Sequence, residues 1–545
     1  MILDTLITRA RILTMDSRRP QAHRIGIWKG LVVGLDEELD GMSARCTIDA
    51  KGMTLMPGFH DSHNHMSTFG RSLLNIDATK LNSIDELYAE IHARHISMSG
   101  DDWIIVDAYN QHRLGGHPTR AGLDHAAPGR RVIANHNTTH LLVASTPVFE
   151  RVGALAPDWP VPPGGFIERD AIGEASGLVG EQAMGPFRDL NRPYSIEALA
   201  SAIGRASDVF LSEGITSVVE AGIGASPVVG SSPTELAPYQ LAAEDGRLGV
   251  RAQLMVSMEN LHPVISHPDD LVDLGIDLGL RTGLGGDKLS IGALKMFTDG
   301  AIGSRTAALT APFCDHDSSG VMQFDEDALY EISAAAARAG WQLAVHAIGD
   351  HAVDVALRMI GGAKTASPTN SKRHRIEHAS IVRDDQVSRI AELGVIASVQ
   401  PQFVSALGDA VLAGVGDREA WTYRHRSLLD AGIRVACGSD RPVVSGTPLI
   451  AVRDMVLRRT ESGHVFGDHE TVSVQTALAG YTRDAAFAAH REDRLGSLSS
   501  GFHADFVLLD GDPLTTAPHE LPNIPIVATS VAGEFLFDPR GIAAR

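Results

Sequence analysis

Two histidines one residue apart, His63 and His65, close the segment Gly58-Phe-His-Asp-Ser-His-Asn-His. The segment ends a β-rich run, and alternate residues of a strand face the same side. The two imidazoles therefore point together, which suits one shared divalent ion. Alone, such a pair is weak in a chain with 24 histidines. It gains weight from the ends of other apolar runs. Residues 342–348 carry His346, residues 375–378 end in His378, and residues 433–440 end in Asp440 within Gly-Ser-Asp. Residues 291–299 hold Lys295 in an otherwise apolar stretch. A lysine facing a buried interior is costly unless neutralised or paired. Carbon dioxide on its amine would give a carbamate, an anion that metal ions can hold. Pairing with Asp299 is the plainer alternative for Lys295, as capping of a following helix is for Asp440.

Such ligands need elements that end at one place. Strand-like runs recur at 56–65, 214–221, 250–257, 291–299, 342–348, 375–378, 395–400 and 433–440. Ala- and Leu-rich helical stretches such as 327–339, 384–393 and 472–478 alternate with them. Eight βα units predict an α/β fold, a closed (β/α)8 TIM barrel, whose sites lie at the strand C-termini. The first two strands lie about 150 residues apart, against the few tens that a helix and two loops require. The excess predicts an inserted α+β subdomain over about 70–200, carrying Trp103, Tyr109 and Trp159 and shaping the pocket. β-rich runs at 5–15, 24–36 and 46–55 and again at 504–510 and 524–537 predict a small composite β-sandwich. The expected division is 1–57 for the first part of the sandwich, 58–490 for the barrel and 491–545 for the second part.

The overall chemistry narrows the function classes. The formal net charge of −20 disfavours nucleic acid and anionic membrane as partners and favours a small molecule. Only three cysteines, Cys46, Cys314 and Cys437, are present, too widely spaced for a metal knuckle or a disulfide framework. No basic, then apolar, leader opens the sequence, and no apolar run reaches membrane-spanning length. A reducing cytoplasm is the expected location. The run Gly283-Leu-Gly285-Gly286 completes no dinucleotide fingerprint. Walker A, GxSxG and HExxH patterns do not occur.

Taken together, the segments MPGFHDSHNH (56–65), GGFIERDAIGEASGLVGEQA (164–183), GITSVVEAG (214–222), LKMFTDGAIGSRTAAL (294–309) and VHAIGDHAV (345–353) carry a specific resemblance. RIEHAS (375–380), GSDRPV (438–443), YTRDAAFAA (481–489) and GSLSSGFHADFVLLDGDPL (496–514) extend it in the same order. The chain resembles the amidohydrolase superfamily, and within it the amidohydrolase-3 branch of YtcJ-like proteins and N-substituted formamide deformylases. The resemblance implies that His63, His65 and Asp440 bind one metal. It implies that His346 and His378 bind a second, and that Lys295, as N6-carboxylysine, bridges the two. It implies zinc or another divalent ion, one or two per subunit, and a homodimer. The reaction implied is hydrolysis of an amide-type C–N bond by a metal-activated hydroxide, with Asp440 as catalytic acid and base.

N-substituted formamides are the leading substrate class, with other N-acyl, carbamate or cyclic amide substrates as alternatives. A metal-stabilised binding or regulatory protein without turnover is the alternative from another class. Substrate contacts are expected from His140, Glu181 and Arg305, each against a structural role. Glu220 sits at the end of the second strand, where it could face the pocket or the barrel interior. Phe403 and Trp421, with Trp103 and Tyr109, could wall an apolar pocket or simply pack the core. His60 has the opposite parity to His63 and His65 and stays outside the ligand set.

Overall fold

A computed structural model describes residues 1–98, 102–137, 141–162, 165–224, 229–230 and 232–543. The chain divides into two compact units, Met1–Ser67 with Ala200–Arg545, and Thr68–Leu199.

The first unit holds the barrel. Its strands are β1 (Phe59–Asn64), β2 (Ile215–Ile223), β3 (Arg251–Ser257), β4 (Leu289–Phe297), β5 (Leu343–Ala347), β6 (Arg375–His378), β7 (Ile396–Val399) and β8 (Val435–Cys437). They pair in parallel in that order, from β1 to β8. The seam between β8 and β1 is closed just past the strand ends. The Asp440 N–H donates to the His63 carbonyl at 2.7 Å and the His65 N–H to the Arg441 carbonyl at 2.9 Å. Asp61 reinforces it, accepting the Ser439 N–H at 2.9 Å and the Ser439 hydroxyl at 2.5 Å. Two residues before Lys295 and His346 on their strands, Ala293 and Ala344 pack with Val219, Met255 and Ala489 as an apolar floor.

The outer helices start and stop where sequence chemistry dictates. Asp325 caps Glu326–Arg338 by accepting the Ala328 N–H at 2.9 Å. Asp384–Leu393 ends on Gly394 in the left-handed conformation. The third βα unit departs from the expected pattern. Between β3 and β4 the chain forms only short 3-10 turns and the two-residue strands His262–Pro263 and Leu274–Gly275. Residues 266–287, rich in Asp and Gly, favour turns over a helix.

The β-sandwich also belongs to this unit. One sheet has the order Leu31–Leu35, Ile25–Trp28, Ile2–Thr8, Ser43–Asp49. The other runs Glu534–Phe537, Ile526–Val531, Phe506–Leu509, Thr54–Pro57, Arg11–Leu13, Gln21–Ala22. Ile7, Ile25, Val32 and Ile48 of the first pack with Ile12, Leu55, Phe506 and Val527 of the second. Truncating Phe506 to alanine is expected to cost about 3–5 kcal/mol, read by denaturant unfolding. The expected single strand over 56–65 is split between two sheets. Thr54–Pro57 pairs with Phe506–Leu509 in the sandwich, and Phe59–Asn64 opens the barrel. Pro57 lacks an N–H to continue a ladder. Gly58 lies so close to Thr216 that a Cβ there would stand 2.8 Å from the Thr216 Cβ.

The second unit is an α+β insert. Its six-stranded sheet has the order Phe166–Arg169, Ala175–Gly180, Leu141–Ala144, Val132–His136, Ile104–Tyr109, Ile76–Asp77. Helices Ile84–Ser97 and Arg120–Ala126 supply one core with Tyr109. Phe149 and Phe187 centre another, edged by Trp103 and Trp159. Among the described residues, no helix is long and apolar enough to cross a membrane.

Candidate metal centre

The C-terminal ends of the barrel strands bring His63, His65, Lys295, His346, His378 and Asp440 together. Ligand atoms of His63, His65 and Asp440 all lie within 4.8 Å of one another. Asp440 Oδ1 is 3.4 Å from His63 Nε2 and 3.2 Å from His65 Nε2. Lys295 Nζ is 3.4 Å from the same His63 Nε2. The His378 ring centroid is 4.9 Å from that of His63 and 4.5 Å from that of His346.

Each imidazole is held from behind by an acceptor on one nitrogen. His63 Nδ1 faces Glu377 Oε2 at 2.5 Å, and His65 Nδ1 faces Glu220 Oε1 at 3.5 Å. His346 Nε2 meets the Gly300 carbonyl at 3.0 Å, and His378 Nδ1 meets Gln400 Oε1 at 2.7 Å. An acceptor on one nitrogen fixes the proton there and leaves the other nitrogen as a lone-pair donor. The nitrogens left over are His63 Nε2, His65 Nε2, His346 Nδ1 and His378 Nε2. With one carboxylate and one amine, these imidazoles fit a divalent cation, whose binding would displace the proton that His65 shares with its two carboxylates.

The electrostatics match a site built around positive charge. Burial alone would raise Asp440, but the imidazoles of His63 and His65 beside it outweigh that and hold its carboxyl well below the usual range. Burial would lower His65, yet the carboxylates of Asp440 and Glu220 hold it at about 9. Burial, with the Lys295 charge nearby, lowers His346 to about 3, and burial beside His346 holds His378 well below the usual imidazole range. Burial brings Lys295 down to about 8. Backbone strain gathers here too, with His378 (φ 72°), Ala379 (φ 44°) and Asp440 (φ 55°) in the left-handed region.

Asp299 is occupied otherwise than as a partner of Lys295. Its carboxylate accepts backbone N–H groups of Ala308 at 2.9 Å, Ile348 at 3.1 Å and Gly349 at 2.8 Å, tying the loops after β4 and β5 together. Asp440 precedes Pro448–Leu457 by a loop, and the cap position of that helix is Thr447. Gly438 is required by close approach. A Cβ there would sit 2.6 Å from the His63 nitrogen. Gly438→Ala is expected to force the seam apart, to cost about 1–3 kcal/mol and to weaken metal uptake, read by melting and metal titration.

Substrate-contact expectations fall differently. His140 lies outside the described residues. Glu181 belongs to the insert, where it is exposed and opens the turn Glu181–Met184 at φ 54°. Arg305 follows β4, but its guanidinium is committed to Asp315, with Nε to Oδ1 at 2.8 Å, and to the Ile302 carbonyl at 2.6 Å. Phe403 packs 6.3 Å from His378 with parallel rings and joins an apolar cluster edged by Trp421. His60 is buried away from the set, and burial lowers it to about 3.

Sequence reasoning passed over Glu377 and Gln400, and left Glu220 undecided. Arg375 and Glu377 alternate on a short strand, and charges facing a barrel interior need partners. That was the available signal for Glu377. Gln400, just past β7, had none.

The amidohydrolase family model (Amidohydro_3) matches residues 46–537. N-substituted formamide deformylase of Arthrobacter pascens is 27% identical over 566 residues, covering 99% of each chain. YtcJ of Bacillus subtilis is 28% identical over 498 residues, covering 90% of each. The crystal structure of a metal-dependent hydrolase from Pyrococcus furiosus superposes with a TM-score of 0.77 at 29% identity, covering 94% of this chain and 100% of that one. A barrel whose strand ends gather four histidines, a lysine and an aspartate, matched by that family over nearly its whole length, belongs to the amidohydrolase family.

Proposed function

We propose that the protein hydrolyses an amide-type C–N bond of a small molecule, with N-substituted formamides as the leading substrate class. The observation that carries this is the set of four imidazoles, each held on one nitrogen and each leaving the other for a cation beside Asp440 and Lys295. The deformylase relative points to the formyl group; other N-acyl, carbamate and cyclic amide substrates share the same chemistry. Zinc is the leading ion. A bound divalent ion supplies water acidified toward neutral pH and polarises the carbonyl it faces.

The chain's own residues do the rest. Asp440 stays ionised through neutral pH, so Oδ1 can accept a proton from water and deliver it to the leaving nitrogen. His63 and His65 hold that oxygen from two sides. Lys295, buried and lowered to about 8, presents a larger neutral fraction than a surface lysine, which is the form that takes up carbon dioxide. Its carbamate would add a second carboxylate-like ligand. Lys295→Met is expected to bind less metal and to lose about 10²–10³-fold in turnover, the scale of one buried electrostatic contact to a transition state. Metal analysis and initial rates check it.

The deciding experiment is a hydrolysis screen of N-formyl amines, N-acyl amino acids, carbamates and cyclic ureas with added zinc. Formate release from N-formyl amines is the expected result. A metallated protein that cleaves only another class would move the substrate and leave the chemistry.

A further inference from the structure

Beneath the metal centre lies a charged pair that the hydrolytic reading leaves unused. Arg375 and Glu377 alternate on β6, with side chains 1% and 0% exposed. Arg375 donates to both carboxylate oxygens of Glu377, through Nε to Oε1 and through Nη2 to Oε2 at 3.0 Å. A buried pair so placed needs its remaining donors and acceptors satisfied. Arg375 Nη2 also reaches the Ser62 carbonyl at 2.8 Å and Ser398 Oγ at 2.7 Å. Glu377 Oε2 takes its further hydrogen bond from His63 Nδ1 at 2.5 Å. The pair thus grips β1 at two consecutive residues, at the backbone of Ser62 and at the ring of His63.

That geometry does something an ordinary core salt bridge would not. The Ser62 bond sets where the strand lies against β6. The Glu377 bond sets the rotation of the His63 ring and keeps its proton on Nδ1. Nε2 is then presented as a lone pair, 3.4 Å from both Asp440 Oδ1 and Lys295 Nζ. We propose that Glu377, held by Arg375, is a positioning residue that fixes the tautomer and aim of His63 toward the bound cation. The inference rests on the metal reading given above. Carboxylates behind a ligating histidine are worth about 10–100-fold in metal affinity.

The test uses the full-length protein loaded with Co²⁺. The readouts are the dissociation constant, by competition with a chelator, and the visible absorption of the bound ion. Glu377→Leu alone would strand the Arg375 charge, so the main variant is the double replacement Arg375→Met with Glu377→Leu, which removes both charges and the acceptor behind His63 Nδ1. It is expected to keep its circular dichroism, to bind Co²⁺ about 10–100-fold more weakly and to show an altered spectrum. Glu377→Asp keeps the charge pair but draws the carboxylate back from the ring, and the same direction of change is expected. If the double variant fails to fold, Glu377→Asp decides. A folded variant with unchanged affinity and an unchanged spectrum overturns the positioning role while the metal reading stands. A wild-type chain that takes up no Co²⁺ overturns both.

Discussion

Replacing Asp440 by asparagine will lower turnover of any accepted substrate by about 10³-fold while the protein stays folded, the middle of the range for losing a general acid–base. The backbone contribution of residue 440, its N–H to the His63 carbonyl, survives the change. So does an oxygen of similar reach toward His63 and His65. What disappears is the charge that those two histidines hold well below the usual carboxylate range, and with it the ability to take up and return a proton. Steady-state rates, circular dichroism and metal content on one preparation separate the effects. Because this carboxyl titrates so low, its protonation will not limit turnover until well into the acid range. Unchanged turnover in the asparagine variant would remove the proposed role and favour a protein that binds without reacting.

Stripping the metal with a chelator will abolish hydrolysis and lower stability by about 4 kcal/mol relative to protein held at a thousand times the dissociation constant. The site explains why folding and binding should be coupled. Six chemically active groups from β1, β4, β5, β6 and β8 meet where burial strengthens their interactions. The imidazoles of His346 and His378 resist charging, and His65, held at about 9, is the ring that carries positive charge beside Asp440 in the metal-free protein. A bound cation would take over that role and tie five strands at once. The check is the melting temperature with and without zinc, and recovery of both stability and activity on adding zinc back. A chelated protein with full activity would refute the site.

Much of this was legible in the sequence for a simple reason. Barrel strands are apolar runs, and a polar residue at the C-terminal end of such a run stands out. His346 and Asp440 do, Lys295 stands out within its own apolar run, and His378 closes the short run 375–378. The parity of His63 and His65 is likewise a local property of one strand. What stayed hidden was set at a distance. Glu377 meets His63 across 314 positions of chain, and neither residue's neighbours announce the other. Arg305 is a surface-loop arginine in sequence, and only the folded loop shows it bound to Asp315. The missing helix between β3 and β4 was foreseeable, because aspartate and glycine crowd that connection, but counting eight units hid it. The split at Pro57-Gly58 was foreseeable from proline, while its cause, the approach of Thr216, was not.

The strand Thr54–Pro57 leads directly into β1; one of its sheet neighbours is Arg11–Leu13, but the other is Phe506–Leu509. During synthesis, at roughly 5–20 residues per second, that neighbour emerges long after the histidine pair. The nascent chain must therefore carry an unsealed β edge, with the first ligands attached to it, through most of translation. Removing the segment around residue 506 would accordingly harm more than a peripheral sheet. It would leave the strand that leads to His63 and His65 paired on one side only, and premature termination would yield an aggregation-prone chain rather than a shortened enzyme.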